Sequence, residues 1–374
     1  MKQIKMLFYS PVSLYSGGGA ERWHCDITNA LVGQGVDVSI VTGNLSEGRW
    51  NKKSLQDNLG TIPFLELPYK KFFGILVPTP SVFYLLYKQF RQVDVIHFIY
   101  GFMGQDIIVA LLKFVTGKKV IVGHHAPTFH KTRIHNLYMK YISRYLMHYF
   151  DYHMTLNKRD KFFFEKEWGI KNVYFIASGV WVEKYLKLKK QTNKGLQFFM
   201  VGRLSDQKGT DLLLPAIEQF NNKNPSNEFR FIFVGAGIYD EMAKNYTKRN
   251  KNIEFKGFVD DSVLMKLYQT SQIFLLPSRE EPFGLVLIEA WSSGLPILAT
   301  KTEGPLDMLK PNINGWFIKD ISIKGIVQSL EEIKEKYKKD KHFFLKLETN
   351  CRQSGREYSI ENTAKKMIEF FLTK

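Results

Sequence analysis

Short apolar runs recur along this chain, and each is followed by a segment whose apolar residues return every three or four positions. Met6 to Tyr9, Val36 to Thr42, Val95 to Phe98 and Val120 to Gly123 are such runs in the first half. Gln197 to Val201, Arg230 to Val234, Ile253 to Phe255, Ile273 to Leu276 and Ile297 to Ala299 are those of the second. Near-continuous apolar runs suit strands covered on both faces, and the 3.6-residue period between them suits helices. Helix patterns fall over residues 20–33 and 106–115, and a third follows Gly284 and stops at Gly294. Strand and helix alternating twice over predict an α/β protein with two doubly wound domains. The segment 179–196 is Lys-rich and weakly periodic, and is taken as a linker between a first domain (1–178) and a second (197–358). A last helix starts at the plausible cap Ser359 and runs to Phe371.

Length agrees with two domains, because 374 residues that are 44% hydrophobic exceed what one core accommodates. Two cysteines, Cys25 and Cys351, imply no disulfide framework and fit a reducing, cytoplasmic compartment. No signal-peptide pattern precedes the first strand, and no apolar run reaches membrane-spanning length. The net charge of +17 favours anionic partners. A Lys-rich genome composition is the duller explanation. Residues 1–178 carry 22 basic and 12 acidic residues, against 31 and 24 in the remainder, so the excess is denser in the first half. No zinc-finger, RNP or basic-zipper spacing accompanies it, and nucleic acid is not expected as a partner.

The first strand runs into a turn-rich loop with Gly17-Gly18-Gly19, where backbone amides can crowd against a phosphate or sugar. A dinucleotide dehydrogenase would place Gly-x-Gly-x-x-Gly here and an acid at the end of the second strand. This chain has Gly-Gly-Gly-Ala-Glu-Arg and then Val41-Thr42-Gly43-Asn44, which argues against that class. In the second half, Gly202-Arg203-Leu204-Ser205-Asp206-Gln207-Lys208-Gly209 follows a strand directly. Two cations five apart in a glycine-bounded loop can converge on one spot and neutralise a departing diphosphate. Glu281 falls in the loop above the carboxyl end of the strand Ile273 to Leu276 and Glu289 about a turn into the helix that follows, with Gly284 admitting a ligand to the helix N-terminus. His124, His125 and His130 have no nearby carboxylate and make a poor metal set, so no metal is expected.

The run Leu275-Leu276-Pro277-Ser278-Arg279-Glu280-Glu281-Pro282-Phe283-Gly284 leads to Glu289-Ala290, Gly294-Leu295-Pro296-Ile297 and Thr302-Glu303-Gly304-Pro305. This series closely resembles the donor-site signature of retaining glycosyltransferase family 4. Gly-Arg-Leu-x3-Lys-Gly and Val234-Gly235-Ala236-Gly237 resemble two further motifs of that family, in the same order. The resemblance implies a GT-B fold, with two Rossmann-like domains facing across a cleft and the last helix crossing back to the first. It also implies sugar transfer from a nucleotide diphosphate sugar with retention at the anomeric carbon. Arg203 and Lys208 would then hold the diphosphate, and Glu289 the ribose. Glu281 would hold the donor sugar with the backbone at Phe283, Gly284 and Leu285. Gly18, Gly19, Gly202, Gly235 and Gly237 would line the donor site. The family histidine lands on His124, or on His125 if the register moves by one. No Asp-x-Asp occurs, so the two cations would stand in for a metal clamp and no cofactor is expected.

The same architecture could serve a hydrolase, a phosphorylase or a non-catalytic basic binding protein. The expected partners are a nucleotide sugar and a glycan or lipid-linked acceptor. Basic and aromatic residues interleave over 69–76 and 130–149, as suits docking on an anionic membrane surface. The chain is then expected to be cytoplasmic and peripheral to that membrane.

Overall fold

A computed structural model describes residues 3–16, 18–44, 50–72, 75–101, 103–125, 133–191, 195–225 and 228–372. The chain divides into two compact units: Met1–Val180 together with Ile360–Lys374, and Trp181–Ser359.

The first unit is built on a parallel sheet of seven strands: β1 (Lys5–Ser10), β2 (Asp37–Gly43), β3 (Phe64–Leu67), β6 (Val95–Tyr100), β7 (Lys119–His124), β8 (Tyr152–Thr155) and β9 (Val173–Phe175). Their spatial order is β3-β2-β1-β6-β7-β8-β9. A small hairpin, β4 (Tyr69–Phe72) and β5 (Ile75–Pro78), stands apart. Alternate residues of β1, β6 and β7 serve two cores, as the two-residue period requires. Leu7, Tyr9, Ile96, Phe98, Val120 and Val122 meet buried residues of α3 (Pro80–Gln92), α4 (Gln105–Thr116) and the helical stretch after them. That stretch is α5 (Arg133–Tyr138), a wide turn over Met139–Ser143 and α6 (Arg144–Met147). α1 (Gly19–Gly33) is packed by α2 (Lys52–Leu59) and by α16 (Ile360–Met367), which rejoins this unit from the far end of the chain. Gln34 donates to the carbonyl of Glu361 at 2.9 Å, and Thr363 to that of Ala177 at 2.9 Å. Phe371, just beyond, packs against Tyr152 and Tyr174.

Two expectations change here. Tyr69, read as part of a docking surface, is buried, and its hydroxyl hydrogen-bonds that of Tyr9. His124 is the last residue of β7 rather than the first of the loop, and this decides where its ring points. His130 lies outside the described residues.

The second unit has six parallel strands in the order β12-β11-β10-β13-β14-β15. They are β10 (Leu196–Val201), β11 (Phe229–Val234), β12 (Ile253–Phe255), β13 (Ile273–Leu276), β14 (Ile297–Ala299) and β15 (Gly315–Phe317). Phe198 and Phe231, paired across β10 and β11, stack at 4.7 Å. Fully burying a side chain of this size contributes about 1.5–3 kcal/mol. α9 (Thr210–Lys223) and α14 (Ile323–Lys339) cover one face of the sheet, while α12 (Leu285–Ser292) packs against α15 (Lys341–Glu357). The stretch 181–191 is tied to this unit. Arg352 donates to the carbonyls of Leu186 (3.0 Å) and Leu188 (2.7 Å), and Lys190 donates to the carbonyls of Tyr268 (3.0 Å) and Ser271.

Candidate active site

In the second sheet the strand order reverses between β10 and β13, so the loops leaving these two strands part to opposite sides. Ligands of open α/β sheets bind in the crevice so formed. The loops there are joined backbone to backbone. Gly202 N–H donates to Val234 O (3.0 Å), Leu204 N–H to Ala236 O (3.2 Å), Arg279 N–H to Gln207 O (2.8 Å) and Gly304 N–H to Glu281 O (2.8 Å). A Cβ on Gly235 would stand 1.9 Å from the carbonyl oxygen of Gly202, and one on Gly237 would stand 2.1 Å from that of Leu204. The same construction on Gly304 would reach within 2.0 Å of Phe283 O. Such contacts exclude any side chain. The glycines of these motifs are therefore explained by loop crossings, before any ligand is considered.

This framework brings Lys208 and Glu281 together. The Lys208 ammonium donates to Glu281 Oε2 at 2.5 Å, and Ser278 Oγ reaches the same oxygen at 3.3 Å. Glu281 is only 6% exposed, so its charge is balanced locally. Arg203 lies on the other part of the loop, is exposed, and has no ion-pair partner among the described residues. Three residues past Glu281, Gly284 takes a left-handed conformation (φ +89°) as the cap residue of α12. No side chain caps that helix, and while Leu287 N–H donates to Gly284 O at 2.9 Å, the amides of Leu285 and Val286 are left to water or to an anion. Glu289, one turn further, accepts from the Tyr268 hydroxyl at 2.8 Å. Phe283 is buried beneath the loop.

Some parts of the site were not legible in the motifs. Tyr268, on α11 (Asp261–Thr270), orients Glu289 from another helix, and Ser278 supports Glu281. Arg279 clamps Asp211 through two bonds of 2.7 Å and donates to Asp206 O at 2.6 Å, locking the Lys208 loop to the Glu281 loop. The hydrogen-bonding guanidinium holds Asp211 below the usual carboxylate range. Only the opposite charges hinted at this pair, because their 68-residue separation hides it.

The glycine loop of the first unit leads into α1. Gly17 lies outside the described residues. The Gly18 N–H is already capped, donating to the Glu21 carboxylate at 2.9 Å, whereas a Cβ on Gly19 would meet no atom within 4 Å. The two histidines diverge, as consecutive residues leaving a strand must. His124 is 4% exposed and points into the core, its ring 4.0 Å from that of Phe164, with Nε2 3.1 Å from His153 Nδ1. It thus faces packing, not solvent. His125 points to the other face, 4.5 Å from the Trp23 ring of α1 and close to His24 and His97. Gly123 makes room for it, since a Cβ there would stand 2.6 Å from His125 Nε2. Burial lowers His24 to about 4 and His97 to about 3, and holds His124 and His125 well below the usual histidine value.

Comparison with known proteins agrees with this architecture. Residues 183–357 match the family described as glycosyl transferases group 1, and residues 17–184 match glycosyltransferase family 4. A Haemophilus influenzae protein named as an uncharacterized glycosyltransferase is 26% identical over 365 residues, 96% of this chain and 97% of its own. Among solved structures, TarM superposes with a TM-score of 0.79 at 13% identity, covering 99% of both chains. Anabaena Alr3699/HepE in complex with UDP and glucose superposes with a TM-score of 0.75 at 16% identity, covering 100% of both. These likenesses give the fold as GT-B.

Proposed function

We propose, from the matches of residues 183–357 to glycosyl transferases group 1 and of residues 17–184 to glycosyltransferase family 4, that the chain moves a sugar from a nucleotide diphosphate sugar to a glycan or lipid-linked acceptor, retaining the anomeric configuration. The observation that carries this reading is the meeting of Lys208 and Glu281 where the sheet order reverses, beside the uncapped start of α12. A departing diphosphate gathers negative charge. Lys208, Arg203 and the first amides of α12 are the groups here able to stabilise it as it forms. Glu281, freed in part as Lys208 turns to the diphosphate, accepts from donor-sugar hydroxyls. Glu289, oriented by Tyr268, accepts from the ribose. In the first unit, His125, whose buried Nε2 has no hydrogen-bond partner among the described residues, is the histidine we assign to the site in place of the core-packed His124, and Gly19 is the open position of the glycine loop.

No carboxylate in this set is poised as a covalent nucleophile. We therefore assign a same-face attack in which the acceptor hydroxyl forms the new C–O bond as the C–O bond to the diphosphate breaks. The leaving phosphate oxygen takes the acceptor proton. The donor base is uracil or guanine, with the UDP-bound neighbour supporting the former. The setting we propose is cell-surface polysaccharide or glycolipid synthesis at the cytoplasmic face of the membrane.

The test is nucleoside diphosphate release from a panel of UDP- and GDP-sugars, with and without candidate acceptors, followed by NMR of the anomeric proton in the product. Acceptor-dependent release with retention is expected. Release that ignores the acceptor would make the protein a hydrolase, and an inverted product would overturn the same-face mechanism. Turnover is expected to survive EDTA. Complete loss, restored by Mg²⁺ or Mn²⁺, would overturn the assignment of the diphosphate to Arg203 and Lys208.

A further inference from the structure

We propose that the outer side of the helix layer formed by α3, α4, α5 and α6 docks on an anionic lipid bilayer. The proposal rests on the glycosyl-transfer reading only in what docking would deliver, namely access to a membrane-borne acceptor.

The first observation is α4 itself. Val109, Ala110 and Leu112 fill the core, which is the ordinary duty of a helix on a sheet. Its opposite side should then be polar. Instead Ile107, Leu111, Phe114 and Val115 lie there exposed, at the spacing of one helical stripe, with Phe114 77% exposed. The stripe is not isolated, because α4 packs between α3 and α6. On α3, Phe83 and Tyr84 are exposed. Along the 133–147 stretch, Ile134, Leu137, Tyr141, Ile142 and Tyr145 are exposed, Ile134 by 72%. Three neighbouring helices thus turn apolar and aromatic side chains outward on the same side of one sheet.

The second observation is charge. Of the basic residues of these helices, Lys113 is largely buried and paired with Asp151 at 2.5 Å, which leaves Lys88, Arg91, Arg133, Lys140 and Arg144 to charge the surface. Their sole acidic residue is Asp106, which is fully buried and accepts from Tyr138 and from Ser143 (2.7 Å). Lys88 lies 4.6 Å above the Tyr84 ring, and Lys140 lies 5.1 Å from that of Tyr141. Cations carried on aromatic rings around an apolar centre match the headgroup boundary, with ammonium groups at the phosphates and rings below them.

Charge also decides against a second copy of the chain. A two-fold dimer through this face would bring these five basic residues against the same five. No helix is long and apolar enough to cross a membrane among the described residues, so the contact would be peripheral.

The experiment is co-sedimentation of the full chain with two vesicle types. One is phosphatidylcholine alone, and the other contains about 30 mol% phosphatidylglycerol, each at low and high salt. Wild-type protein should bind the anionic vesicles at least tenfold more tightly, and lose that binding at high salt. Leu111→Ser with Phe114→Ser, and separately Lys88→Glu with Lys140→Glu, should each weaken binding tenfold or more. Because these positions are exposed, nucleoside diphosphate release with a soluble acceptor should stay unchanged. That assay reads the glycosyl-transfer assignment independently of docking. Equal binding to both vesicle types, no binding to either, or a concentration-dependent dimer abolished by Phe114→Ser would overturn the proposal.

Discussion

Replacing Lys208 by methionine removes one charge from a pair whose partner cannot easily reach water. Glu281 would be left with a single 3.3 Å hydrogen bond from Ser278, at 6% exposure. Breaking a fully buried ion pair costs about 3–5 kcal/mol, and since Lys208 keeps part of its side chain in solvent, about 2–3 kcal/mol is expected here. Glu281→Gln should cost less, about 1 kcal/mol, because a lysine at the edge can turn to water. The double variant, Lys208→Met with Glu281→Gln, removes both charges and should recover most of the stability lost in the single lysine variant. Turnover should behave differently. Losing a preorganised charge at the leaving group lowers kcat by about 10²–10³, and removing Glu281 supplies no substitute. Stability is best read by hydrogen exchange of β10 and β13, which reports this unit without assuming that the whole chain unfolds in one step. Turnover is read as nucleoside diphosphate release at saturating donor. If the double variant regained wild-type turnover, Lys208 would serve only to neutralise Glu281, and its role at the diphosphate would be refuted.

Three further outcomes are expected. The first unit should lose stability as pH falls from 6.5 towards 3–4, because His24 (about 4), His97 (about 3) and His153 (about 4) stay neutral when folded, while their unfolded counterparts take up protons. His97→Phe should flatten that slope by up to about 1.4 kcal/mol per pH unit, and an unchanged slope in urea-unfolding series would remove His97 as a cause. Gly304→Ala should force the Glu281 loop to move, costing about 2–3 kcal/mol and weakening donor binding, whereas Gly19→Ala should leave melting temperature near wild type; similar melting curves for the two would contradict the loop-crossing account. Glu289→Ala should raise the nucleotide Kd about tenfold with kcat nearly kept, and Tyr268→Phe should reproduce a fraction of that, both checked by calorimetric titration.

Central strands were legible because both their faces are apolar, so β1, β6, β7, β10, β11 and β13 fall where the runs predict them, within a residue or two. β3, β8, β9 and β15 escaped because three or four residues, such as Val173-Tyr174-Phe175, are too short a run to tell strand from loop. The site's charged residues were legible through family resemblance, but their support was not. Nothing in local sequence ties Tyr268 to Glu289, or Arg279 to Asp211, since those contacts exist only once two loops are brought side by side. The histidine register was ambiguous for another reason. A strand can end one residue later than its apolar run, and that single residue turns His124 to the core at Phe164 and His125 to the opposite face of the sheet, against Trp23. The stretch 106–115 was read as a helix too short to span a membrane, without its outward apolar stripe.

The return of α16 to the first unit fixes an order of events during synthesis. Residues 181–359 emerge from the ribosome between the body of the first unit and the helix that completes it, a delay of roughly 10–40 s at typical translation rates. Throughout that interval the surface of α1 that will receive Ile360, Ala364 and Met367 has nothing on it, while the second unit already holds all of its own strands and can fold. The part made first is thus finished last, and a ribosome stalled before residue 360 would carry one complete unit and one with an open apolar flank, the form a chaperone would hold.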